Sequence, residues 1–287
     1  MTEQLRFAHR AHKTMKVDLH IHTTASDGTW SPDKLMKYVI EAGIELFAVT
    51  DHDSTDNVAE TALLAKEHGV DFIPGVEVNT YHDGLNYHIL GLGIEPENRK
   101  LQTLLQKNKQ LAAQRDHESI KRLEKKYPHI SVTDYDKYIN NHERGGWKAL
   151  NYLIDKNLCT SYKDYFTLFE EQENPFKKQV FVAPGQAIET IRNAGGISVL
   201  AHPGASFYSK DYQKLISFMI KEGISGIECY HPDNSPEITR YARKICDEQN
   251  LLITGGSDCH GDFIAARFLG HPDIRFSSLK LEGINIS

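Results

Sequence analysis

Nine residues carry the chemistry open to this sequence, and all are histidines or carboxylates. His20 and His22 stand two apart in VDLHIHT, so both project from one face of an extended segment. Asp27 follows closely, His52 lies in FAVTDHD, Glu77 in FIPGVEV and His88 in NYHILGLG. His202 comes at the end of SVLAH, and Asp258 and His260 at the end of ITGGSDCH. Imidazole and carboxylate without thiolate suit Zn, Mn or Fe. Hydrolysis of phosphate esters uses clusters of such ions, which at about 3.5–4 Å apart clamp both the attacking and the leaving oxygens. A single tetrahedral zinc site takes four ligands. Nine are enough for two or three divalent ions sharing a bridging carboxylate.

The residues are far apart in sequence, so a fold must bring them together. Seven short apolar runs are the predicted strands: 17–23, 45–52, 70–78, 86–93, 196–202, 225–230 and 251–258. Helical patterns lie between many of them. Ser31-Pro32 supplies an N-cap and a first-turn proline before Leu35, Val39 and Ile40, and Gly43 closes that segment. Val58, Ala62 and Ala65 form a second stripe ending at Gly69, and Ile188, Ile191 and Ala194 a third ending at Gly195. Near-continuous apolar strands alternating with helices predict a parallel sheet covered by helices, and seven strands suit a barrel. Nearly every candidate ligand falls at or just past the C-terminal end of its strand, the face where such barrels build their sites.

Residues 96–183 break this pattern. They are rich in Lys, Gln, Glu, Asn and Tyr, with helical spacing at Leu101, Leu104, Leu105, Leu111, Ile120 and Leu123. A structureless loop of that length does not suit a compact domain. The expected organisation is therefore an N-terminal extension over 1–14, a barrel formed by 15–95 and 184–287, and a mostly helical insertion over 96–183.

Composition excludes several other classes. A net charge of −6 gives no basic field for long duplex nucleic acid. No run reaches the roughly 18 apolar residues of a membrane span, and the first fifteen residues lack the apolar core of a secretory signal. The four cysteines, Cys159, Cys229, Cys246 and Cys259, show no CxxC spacing, which argues against a disulfide framework or a zinc ribbon. A reducing cytoplasm is the expected setting.

The motifs DLHIHT with Asp27, TDHD, PGVEV, YHILG, AHP and GSDCH occur in the order of the PHP (polymerase and histidinol phosphatase) superfamily, which the chain resembles from residue 17 to about 260. The resemblance implies a distorted seven-stranded (β/α) barrel of α/β class with a trinuclear site. By this likeness His20, His22, Glu77 and Asp258 would hold one ion. Glu77 would bridge to a second held by His88 and His202, and Asp27, His52 and His260 would hold the third. Asp27 stands where some relatives use histidine. Manganese is the first expectation for the metal, with iron or zinc as alternatives.

TASDGTWSP, TDHDS and the position of the insertion resemble, more narrowly, the nucleoside 3′,5′-bisphosphate phosphatases and 5′→3′ exoribonucleases of that superfamily, in which the insertion forms a helical cap. The resemblance implies hydrolysis of a nucleotide or short oligonucleotide by metal-activated water. HERGGWKALNYL (142–153) is the candidate substrate-facing element, with Arg144 and Lys148 as phosphate contacts. Arg267, shortly after SDCH, is a third candidate contact. His231, in ECYHP, matches no metal position and is the candidate for substrate contact and for protonating the leaving group, a job closed to a metal-bound histidine. Asp51 or Asp53 is expected to orient the His52 ring. The tyrosines and phenylalanines of 135–169 are expected to form the insertion's core, with stacking of one of them on a base as the alternative. A phosphatase of the histidinol phosphate type, acting on a small non-nucleotide monoester, uses the same chemistry and is the alternative activity. A catalytically silent PHP binding module is the alternative of another class.

Overall fold

The computed structural model describes residues 14–169, 175, 181–208 and 210–285. The expected N-terminal extension, apart from Thr14, lies outside these residues.

The strands are β1 (Lys16–Asp18), β2 (Leu46–Val49), β3 (Asp71–His82), β4 (Leu85–Leu92), β5 (Ile197–Leu200), β6 (Gly226–Tyr230), β7 (Leu252–Gly255) and the two-residue β8 (Ile274–Arg275). They form one sheet in the order β7-β6-β5-β4-β3-β2-β1-β8. Beyond the strand ends the sheet curls back on itself. Leu19 N donates to Gly255 O at 3.1 Å, His22 N to Cys259 O at 2.8 Å and Asp258 N to His20 O at 2.8 Å. The segments after β1 and β7 thus lie side by side in a nearly closed barrel.

Alternation along the strands gives the barrel two apolar layers. Leu46 and Ala48 of β2 join Val17, Ile73, Leu90, Val199 and Leu252 in one cluster. Phe47 and Val49 face outward against helices α1 (Pro32–Glu41) and α2 (Val58–His68). On the far side, α7 (Pro184–Asn193), α8 (Tyr212–Lys221) and α9 (Pro236–Gln249) cover β3 to β7. Both faces of the sheet are covered, which is why the strands read as continuous apolar runs. Ser31 Oγ caps α1 by accepting from Lys34 N at 3.4 Å, and Gly69 ends α2 in the left-handed region at φ 71°.

Two expectations need correction. The sheet is not all parallel: β4 runs antiparallel to both β3 and β5. No helix separates β3 from β4, because Asp83 and Gly84, both at positive φ, turn the chain directly back. His88 therefore lies inside its strand, opposite Asn79, and the reversal delivers it to the same end of the barrel as the C-termini of the other strands. The described residues also form eight strands, since β8 pairs antiparallel with β1.

Between β4 and β5 the chain forms α3 (Arg99–Glu124), α4 (Val132–Lys137), a 3-10 turn at His142–Arg144, α5 (Lys148–Asp155) and α6 (Tyr162–Thr167). They share a cluster built on Ile120, Leu123, Tyr135, Leu150, Tyr152, Leu153 and Tyr165. Residues 170–174 and 176–180 of the expected insertion lie outside the described residues. No helix among the described residues is long and apolar enough to cross a membrane.

Candidate metal centre

Glu77, near the middle of the long strand β3, is fully buried, and five imidazoles surround its carboxylate. Oε2 lies 3.1 Å from His20 Nε2, 3.1 Å from His22 Nε2 and 3.2 Å from His52 Nδ1. Oε1 lies 3.0 Å from His88 Nδ1 and 2.9 Å from His202 Nε2. Asp258 approaches from β7: its Oδ1 is 3.1 Å from His22 Nε2 and 3.4 Å from His20 Nε2. Asp27 Oδ1 is 3.5 Å from His260 Nε2 and 3.6 Å from His22 Nδ1, and Oδ2 is 4.0 Å from His52 Nε2. All nine candidate ligands meet in one place.

The donor atoms group as metal ligands do. His20, His22, Glu77 and Asp258 form one set, Asp27, His22, His52 and His260 another, His52, Glu77 and His88 a third, and His20, Glu228 and His231 a fourth. Ligands sharing an ion at about 2.1 Å sit roughly 3.0–3.5 Å from one another. The imidazole–carboxylate contacts around Glu77 and Asp258 have that spacing, those of Asp27 being longer at up to 4.0 Å. Moreover His22 Nε2 and His52 Nδ1, both buried, lie close to Glu77 without an aligned hydrogen bond to any partner. Nitrogens gathered beside a carboxylate oxygen but not aimed at it suit a shared cation.

The electrostatics agree. Burial disfavours charge on Glu77, yet His52, His20 and His88 hold its carboxyl well below the usual range. Asp258 is likewise held down, against burial, by His20, Arg267 and His260. Burial opposes a proton on His22, but Asp258 and Glu77 push its pKa up to about 10. Burial keeps His52 neutral, pulled down to about 3, and His202, pulled down to about 4. The cradle is anionic and attracts positive charge, while neutral imidazoles keep lone pairs available.

Surrounding groups hold the cradle in place. Asp18 accepts from Ser257 N at 2.9 Å and Gly270 N at 2.8 Å, tying the loop after β7 to β1. A side chain at Gly256 would collide with His20, so only glycine allows this approach. Asp51 and Asp53 hold backbone loops instead of the His52 ring. Asp51 accepts from Thr23 N and Oγ1 at 2.8 and 2.6 Å and from Ser26 Oγ at 2.6 Å. Asp53 accepts from Asn79 Nδ2 at 2.6 Å and from Asn108 Nδ2 of α3 at 2.8 Å.

Sequence reasoning missed Glu228. It is fully buried in β6, its Oε1 is 2.9 Å from His20 Nδ1, and its Oε2 accepts from His202 N at 2.8 Å. The available signal was a carboxylate inside the otherwise apolar strand GIECY.

The four expected substrate contacts divide. Arg267 reaches the cluster, ion-paired with Asp258 and, at 2.6 Å, with Asp233. His231 is buried beside Asp258, Nε2 to Oδ2 3.3 Å, and its Nδ1 accepts from Asp233 N at 3.0 Å. Arg144 is engaged by Asp155 at 2.7 Å and Tyr138 Oη at 3.3 Å, and Lys148 lies 4.6 Å from the centre of the Tyr135 ring. Their segment nonetheless meets the site through its backbone. Gly146 N donates to Asp27 O at 2.8 Å, and Gly145 and Gly146, at φ 70° and 69°, pack on Phe263 without room for a side chain.

The PHP domain family model matches residues 18–171. A 5′-3′ exoribonuclease of Haemophilus influenzae is 32% identical over 86% of this chain and 90% of its own length. A 3′,5′-nucleoside bisphosphate phosphatase of Chromobacterium violaceum is 28% identical over 90% and 91%. The solved structure of a protein from Bifidobacterium adolescentis shares the fold, with a TM-score of 0.76 at 24% identity over 90% of this chain and 92% of that one. Barrel, cradle and relatives together define a metal-dependent phosphoesterase. The chain belongs to the PHP domain family.

Proposed function

We propose that this enzyme hydrolyses phosphate esters of nucleotides, as a nucleoside mono- or 3′,5′-bisphosphate phosphatase or as a 5′→3′ exonuclease on short oligonucleotides. The observation that carries the reading is the five-histidine ring around the Glu77 carboxylate. The relatives named for nucleoside bisphosphates and RNA, each covered over most of its length, support nucleotides.

His20, His22, Glu77 and Asp258 would hold one divalent ion, Glu77, His88 and His202 a second, and Asp27, His52 and His260 a third, with manganese the leading choice. Bound ions would lower the pKa of water and neutralise charge growing on the phosphoryl oxygens. Glu228 fixes the orientation of the His20 ring through Nδ1 and the backbone at His202. Arg267 and His231 converge on Oδ2 of Asp258 and hold that carboxylate. With Nδ1 of His231 accepting from the backbone, the ring N–H lies at Nε2. That proton is the one assigned to the leaving alkoxide. Arg267 is retained as a substrate phosphate contact. Arg144 and Lys148 would contribute only by exchanging their present partners for phosphate. Residues 96–183 would act as the cap, placed over the site by the Gly146–Asp27 contact. Four free cysteines, all buried, support a reducing cytoplasm as its location.

The test is a side-by-side assay of Mn-loaded protein on nucleoside 3′,5′-bisphosphates, 5′-phosphorylated oligonucleotides and histidinol phosphate. Nucleotide substrates should show the highest kcat/KM, with released phosphate or released mononucleotide separating phosphatase from exonuclease. A preference for histidinol phosphate, or no hydrolysis of any of the three, would overturn the proposal.

A further inference from the structure

Phe207 is an aromatic side chain left exposed beside the cradle. It lies in the loop between His202 and α8, 48% exposed, with its ring centre 5.4 Å from that of His88 and 5.7 Å from that of His202. The loop that presents it is anchored. Ala205 N donates to His202 O at 2.9 Å and Tyr208 N to Ala205 O at 3.0 Å. The neighbouring Tyr208 is buried, its hydroxyl accepting from His88 N at 2.7 Å and its ring 5.3 Å from His202. The two adjacent aromatics thus divide the work: Tyr208 is pinned beneath the loop and Phe207 is turned toward solvent.

The other aromatics near the site have partners of their own, and Phe263 and Tyr162, each half-buried, pack on one another. Phe263, beside His260, is packed under Gly145 and Gly146. Phe268 is exposed but stacks on His271 at 4.6 Å. Tyr135, Tyr152, Tyr165 and Phe169 are buried in the core of the helical insertion, so the stacking surface expected there is absent from these four. Among the exposed large apolar side chains of the described residues (Ile40, Leu63, Ile139, Phe207 and Phe268), only Phe207 has ring contacts with candidate metal ligands.

An exposed phenylalanine gains nothing from solvent, and a bare apolar ring at a site rim suits a flat apolar ligand group. The reacting phosphate must sit against the cradle, which places the next part of a nucleotide within reach of the rim. We infer that Phe207 is a specificity-determining residue that stacks on the nucleobase of the substrate. The inference rests on the nucleotide reading of the site and deepens it. Stacking on an aromatic tolerates every base, because each has a π-face, so Phe207 selects for the presence of a base and not for its identity.

The experiment compares wild type, Phe207→Ala and Phe207→Trp on a nucleoside 3′,5′-bisphosphate and on the matching ribose bisphosphate without a base. The readout is the ratio of kcat/KM between the two. Wild type should favour the nucleotide, Phe207→Ala should shrink that ratio by about tenfold or more, carried mainly by KM, and Phe207→Trp should restore it. Metal content, measured on all three, controls for damage to the cradle. If wild type favours the nucleotide and Phe207→Ala keeps the full ratio, the stacking role is wrong while the nucleotide reading stands. If wild type shows no preference for the base, the nucleotide reading itself fails.

Discussion

Glu228 Oε1 lies 2.9 Å from His20 Nδ1, on the side of the ring opposite the Nε2 that faces Glu77 and Asp258. A carboxylate there fixes the tautomer, leaving Nε2 unprotonated toward a metal, and raises the basicity of the ring. Because the other oxygen accepts from His202 N at 2.8 Å, one side chain sets two candidate ligands from different strands.

Glu228→Gln tests this relationship at constant size. An amide has one acceptor oxygen. If that oxygen serves His202 N, the NH2 group donates to His20 Nδ1 and forces the ring proton onto the Nε2 that faces the metal site. If it serves His20, His202 N loses its acceptor. Metal affinity should fall about 10- to 100-fold, as expected for loss of such a partner. Titration with Mn monitored by calorimetry checks it, and unaltered affinity would show that Glu228 only packs.

His22 belongs to two of the donor sets and touches three carboxylates, Glu77, Asp258 and Asp27. His22→Ala should lower metal content and activity together while the barrel stays folded. Chelation of wild type should likewise lower its melting temperature, because metal at about 100 times its Kd adds roughly 2.7 kcal/mol to stability. Elemental analysis and thermal melts read both effects. Activity lost with full metal retained would mean that His22 is not a ligand.

Much of this site was legible in the sequence, because metal ligands need fixed residue types and the barrel puts strand ends on one face. The nine residues and the helix caps at Ser31 and Gly69 could be read for that reason. The direction of β4 could not. A two-residue turn at Asp83-Gly84 and a short loop before a helix present the same turn chemistry, and burial on both faces hides strand direction. Glu228 escaped because its meaning depends on a neighbour 208 positions away. The fate of Arg144 escaped for a similar reason: local sequence does not show that Asp155 claims the guanidinium.

Asp116 of α3 is a buried carboxylate outside the cradle, paired with Arg115 at 2.8 Å. Burial raises its pKa above the ordinary 3.8, although Arg115, Ala149 N and Lys148 oppose the shift. A carboxyl raised in the folded state contributes stability in its neutral form, fully present below the ordinary value and lost as pH climbs through the folded value. Relative to Asp116→Asn, wild type should therefore lose stability on going from about pH 4 to about pH 7. Denaturant titrations at both pH values decide it, and a difference that grows in favour of wild type would show that the Arg115 pair outweighs burial.

His231 offers the sharpest test of the chemistry. Its Nδ1 accepts from Asp233 N, and Asn at this position can place an amide oxygen near the same donor while removing the Nε2 proton. If that proton goes to the leaving alkoxide, His231→Asn should cut kcat on a nucleoside ester by about 100-fold or more. A p-nitrophenyl ester leaves as a stabilised anion and needs no acid, so its kcat should fall far less. Metal content should remain that of wild type, because the proton donor is assigned to none of the ions. Equal losses on the two esters with metal retained would move His231 from proton donor to a residue that only holds Asp258 in place, and reduced metal content would make it part of the cradle.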